Sequence, residues 1–112
     1  MLATASLNGK SPDDPVGYGL RFTKADRDRY FDRAWEDVVL DFAGAPSATV
    51  HLTPSFWQSQ CELRSAVVGR WLLDIEAAPW ARSEAPRIIV TLIDDNRFSV
   101  RLLERRPLGS SI

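Results

Sequence analysis

Cys61 and His51 are the residues best suited to covalent chemistry, being the sole thiol and the sole imidazole of the 112-residue chain. A thiolate in the first turn of a helix, activated by a nearby imidazole, is a workable nucleophile. Ten positions separate the two, and Glu62, Asp41 or Glu36 could orient the ring. The plainer reading makes Cys61 a small buried apolar residue and His51 a half-exposed strand residue. That reading is adopted, and no catalytic residue is assigned. Asp13-Asp14 and Asp94-Asp95 lie in tail and turn sequence, whereas hydrolytic carboxylates must face one another across a cleft. One histidine and one cysteine leave no ligand cluster, so no metal is expected. Gly9-Lys10-Ser11 ends like a phosphate-binding loop, but Thr4 stands where the opening glycine is required. No cofactor is expected.

Two further groups suit binding rather than chemistry. Arg97, Arg101, Arg105 and Arg106 fall within ten residues, and with Glu104 they give that segment a net charge of +3. Guanidinium groups on an exposed strand recognise phosphates, and they also guard a sheet edge against aggregation. The second group is aromatic. Four tryptophans are present. Phe56 and Trp57 precede the expected main helix and Trp80 follows it. Brought together at the surface, these three rings would anchor a protein partner.

The elements that must position these groups follow from hydrophobic spacing. Leu63, Val67, Val68, Trp71, Leu72 and Ile75 recur every three or four residues. That predicts one main helix from Gln60 to Glu76, opened by a Ser59–Glu62 capping box and stopped before Pro79. Alternation predicts strands over Tyr18–Thr23, Glu36–Phe42 and Thr49–Leu52 before the helix. It also predicts a hairpin of Arg87–Ile93 and Arg97–Glu104 after it, turning at Asp94-Asp95-Asn96. Lys24–Arg33 reads equally as a helical turn or a charged loop. Residues 1–16 read as a flexible tail, 17–106 as a single globular domain, and 107–112 as a frayed end.

The expected class is α+β: an antiparallel sheet of about five strands packed on one main helix, or curled toward a small, partly open barrel. Bulk composition narrows the function classes. Hydrophobic residues make up 45% and charged residues 26%, and the formal net charge is −1. No global field favours nucleic acid or a membrane surface. A single cysteine precludes an intrachain disulfide and suits a reducing, cytoplasmic setting. No apolar run approaches the length of a membrane span. The leading expectation is a non-catalytic interaction module that binds a protein partner, or a second copy of itself, through the helix-flanking aromatics or an exposed strand. The alternative is a nucleic-acid-binding domain that uses the arginine-rich hairpin. A thiol enzyme built on Cys61 ranks third.

Overall fold

A computed structural model of the chain describes residues 1–8, 11–80 and 85–103, with the backbone alone at Ser59 and Gln60. Seven strands are formed among them: β1 (Leu2–Leu7), β2 (Tyr18–Arg21), β3 (Asp37–Phe42), β4 (Ala48–His51), β5 (Glu62–Arg64), β6 (Arg87–Asp94) and β7 (Arg97–Leu102). Two helices join them, α1 (Lys24–Tyr30) and α2 (Ala66–Asp74). The strands make one sheet in the order β4-β3-β7-β6-β1-β2-β5. β3 and β7 run parallel, and every other neighbouring pair is antiparallel. The sheet coils until its two edge strands, β4 and β5, approach one another without pairing. The result is a nearly closed barrel.

Period-two alternation fills the interior. Leu20, Val38, Leu40, Val50, Leu63, Ile88, Val90, Phe98 and Val100 point inward and are buried. Each barrel end is plugged by aromatic packing. Beyond α1, the Phe31 ring lies 5.2 Å from Phe22 and 5.0 Å from both Phe56 and Phe98, measured between centroids. At the opposite end, Trp71 of α2 sits 4.9 Å from Phe42. Such ring pairs contribute about 1 kcal/mol each beyond their burial.

The structure departs from the expected elements in three places. First, the sheet has seven strands rather than five. One of the two additional strands is β1, in the stretch expected as a tail. Its inward residues are Ala3 and Ala5, so no row of large apolar residues announces it. Second, the expected helix from Gln60 to Glu76 is divided. Phe56–Gln60 form a π-helical turn, Cys61 takes a left-handed conformation at φ 50°, and Glu62–Arg64 continue as β5. The helix proper starts after Ser65, whose hydroxyl accepts the Val67 N–H. Leu63 suits either reading, because it is four residues from Val67 and also stands between two polar neighbours. Third, β3 and β7 run parallel, where a wholly antiparallel sheet was expected. Of the two readings open for Lys24–Arg33 the helical one holds: Lys24–Tyr30 is a helix, capped by the Thr23 hydroxyl accepting the Asp26 N–H. The expected hairpin of β6 and β7 and the antiparallel pairing of β3 with β4 are both present. The end expected to fray, 107–112, lies outside the described residues.

Candidate functional site: the open seam

The seam between β4 and β5 is where the sheet leaves its hydrogen bonds unmade. In an antiparallel ladder, alternate residues bond to one neighbour and the rest point the other way. Leu52 donates its N–H to Glu36 O at 2.8 Å. Stepping by two, Val50 and Ala48 therefore bond to β3, and Thr49 and His51 direct their backbone groups away from it. On the other side, Phe22 donates to Cys61 O at 2.8 Å and Ser65 to Tyr18 O at 3.3 Å. Leu63 thus bonds to β2, and Glu62 and Arg64 turn their N–H and C=O groups outward. Four residues, two on each edge, direct backbone donors and acceptors into one gap. Among the described residues, no backbone hydrogen bond crosses it.

A polar cleft of about 250 Å³ opens at the seam, lined by His51, Thr53, Ser55, Glu62 and Arg64. Its side chains are held in place. The Thr53 and Ser55 hydroxyls are bonded at 2.9 Å. His51 Nδ1 lies 3.2 Å from Asp37 Oδ1 on the adjoining strand. The Glu62 side chain is only 4% exposed although it sits on the outer face. It accepts from Ser6 Oγ at 2.6 Å, from Asn8 Nδ2 at 3.0 Å and from Arg64 Nη2 at 2.9 Å. Arg21 Nη2 approaches at 3.3 Å. Burial pushes this carboxyl up, but the bonds from Ser6 and Arg64 and the charges of Arg64 and Arg21 outweigh it. Its pKa lies below the usual carboxylate value. Glu62 therefore stays ionised and ties β1, β2 and β5 into one rigid lip. Gly19 helps, since a Cβ there would stand 2.7 Å from Leu63 O and hold β5 away from β2.

No family model, curated protein or solved structure matches this chain. What the residues do must be read from their own geometry.

The structure separates several residues grouped in the sequence. Cys61 is 2% exposed, and its Sγ lies 3.5 Å from Arg27 Nη1. His51 faces Asp37 instead, and no hydrogen bond joins it to Cys61 among the described residues. Phe56 is buried in the core. Trp57 is half-buried, with the Arg33 guanidinium 4.7 Å from its ring centroid. Trp80 is half-buried and packs edge-on to Tyr18 at 5.5 Å. Trp57 thus belongs to the α1 end of the barrel. Trp80 packs on Tyr18, where β2 enters the α2 end, so the three aromatics do not converge. Arg97 Nη1 reaches both carboxylate oxygens of Asp41, at 2.6 and 2.7 Å. Its charge is answered by a carboxylate that Ser47 and Arg97 together hold below its ordinary pKa. Arg101 is exposed on β7, and Arg105 and Arg106 lie outside the described residues. Among the described residues no three His, Cys, Asp or Glu side chains gather as metal ligands, and no helix is long and apolar enough to cross a membrane. Sequence reasoning passed over Thr49 and Arg64 as site residues and weighed Glu62 only as a group to orient the His51 ring. The alternation Glu62-Leu63-Arg64 carried the signal for a strand, but three residues are too few to outweigh a helical stripe.

Proposed function

We propose that this chain is a small non-catalytic interaction module that receives an extended strand, from a protein partner or from a second copy, along the β4–β5 seam. The observation that supports this reading is the set of backbone groups of Thr49, His51, Glu62 and Arg64 facing a common gap. Unpaired edges are templates for strand addition, in which main-chain bonds supply affinity and neighbouring side chains supply selectivity. The buried Glu62 clasp keeps one lip ordered, which lowers the entropy cost of docking. The aromatic anchor recedes as a binding element, because Phe56 belongs to the core and Trp57 and Trp80 lie apart. The nucleic-acid alternative recedes too, because Arg97 is already paired with Asp41.

The test uses edge variants that spare the fold. Thr49→Pro and His51→Pro each remove one N–H that faces the seam and none that serves a ladder. A partner captured by the wild type from host lysate after nuclease treatment should be lost from both variants. Self-association seen in sedimentation should vanish likewise. Circular dichroism should remain unchanged. Capture that is indifferent to both prolines would remove the seam from consideration. Recovery that requires nucleic acid and weakens steeply with salt would return the question to Arg101 and its neighbours.

A further inference from the structure

A second concave site lies on the far side of α2, remote from the seam cleft in lining and in character. It is a groove of about 330 Å³ between α2, the Pro15–Gly17 turn and the loop joining β3 to β4. Trp71 forms its floor, and Val67, Pro15 and Pro46 its walls. Five large hydrophobic side chains are exposed among the described residues. Val67 at 39% lines this groove, and Val16 at 62% adjoins it through Pro15. The other three, Leu2, Leu92 and Ile93, lie on β1 and β6, away from the groove. The Trp71 indole is fixed from behind by Phe42, so the floor is preformed.

The polar groups of the groove are Ser47 and two charges, Arg70 and Asp74. They stand one helical turn apart on α2, and among the described residues neither is engaged in an ion pair or hydrogen bond. Their order, cation before anion, is the less favourable one for a pair along a helix, worth only a few tenths of a kcal/mol at best. A ligand bringing a carboxylate to Arg70 and an ammonium to Asp74 would displace little.

We infer that this groove binds a small zwitterion with an apolar body, of the size and class of a free hydrophobic amino acid. The volume sits at the lower end of small-molecule sites, which suits one ring or one branched chain and not a large cofactor. The body lies on Trp71 between Val67 and Pro46, and the head group spans Arg70 and Asp74.

The experiment is a heteronuclear NMR titration of the full chain with L-phenylalanine. Three controls are phenethylamine, which lacks the carboxylate, 3-phenylpropionate, which lacks the ammonium, and glycine, which lacks the body. A ligand of this size in a shallow groove should saturate with a dissociation constant on the order of 1 mM. Shifts should centre on the Val67 methyls, the Trp71 indole N–H and the Ala45–Ser47 amides. Arg70→Gln should weaken phenylalanine about tenfold while leaving phenethylamine unchanged, and Asp74→Asn should do the converse with phenylpropionate unchanged. Val67→Glu should abolish binding of the body. Absence of saturable shifts in the wild type would overturn the assignment. Equal binding of all three ring compounds, or of glycine, would overturn it as well. Dimerisation that rises with protein concentration and is lost in Val67→Glu would assign the groove to a second copy and would also overturn it.

Discussion

Replacing Glu62 by glutamine keeps the shape of the side chain and removes its charge, which isolates what the charge contributes. Arg21 and Arg64 lose their counter-ion, and Ser6 and Asn8 face an amide with one acceptor instead of two. The two arginines are half exposed and water screens them, so the cost at neutral pH should be about 1–3 kcal/mol. The pH dependence has a definite sign. The folded-state pKa of Glu62 is lowered, so its contribution is complete above the unfolded value of about 4.3 and is lost as pH falls through the folded value. Urea unfolding at pH 7 and near pH 3 should therefore show a wide gap between wild type and Glu62→Gln that narrows in acid. A gap that stays constant would mean that the clasp acts through shape alone. None of this was visible in the residue order, because the donors come from positions 6, 8, 21 and 64. Pairing across so many positions exists only once three strands are aligned.

Gly69 shows how packing between elements overrides local propensity. In an isolated helix, Gly69→Ala would be stabilising by about 1 kcal/mol. Here a Cβ would stand 2.0 Å from Pro15 O and 2.7 Å from Pro15 C, both backbone atoms. The Pro15–Gly17 turn must move or α2 must rise from it, and forced overpacking of this kind costs about 1–3 kcal/mol. Net destabilisation of about 1–2 kcal/mol is expected by urea or thermal unfolding, and a more stable variant would show that the turn yields freely. The same contrast explains which elements were legible in the sequence. The β6–β7 hairpin and the β3–β4 pair announce themselves through large alternating side chains such as Val38, Leu40, Phe98 and Val100. β1 does not, because the tertiary structure asks it for alanines. The break at Cys61 was hidden because a left-handed cysteine leaves no compositional trace, unlike a glycine.

At the scale of the molecule, a sheet that stops short of closure has two kinds of position on one strand. Val50 points its N–H into the β3 ladder and Thr49 points its N–H into the seam. Val50→Pro should cost about 3 kcal/mol or more, while Thr49→Pro should cost less than about 1 kcal/mol, since only the former removes a ladder bond. Similar losses in denaturation midpoint for the two would show that the seam is closed in solution. The partly open barrel was an open alternative in the sequence, but the seam was not, because its four residues are defined by register and register is a property of the assembled sheet. The place of β1 between β6 and β2 bears on how the chain must be made. Leu2, Ala3 and Thr4 pair with Ile89, Ile88 and Arg87, so β1 waits for β6, which follows β2, β3, β4 and β5 in the chain. Until β6 and β7 insert between them, β1–β2–β5 and the β3–β4 hairpin are two separate sheets with unsealed apolar faces, so the nascent chain is exposed to aggregation until residues through Leu102 have cleared the ribosome.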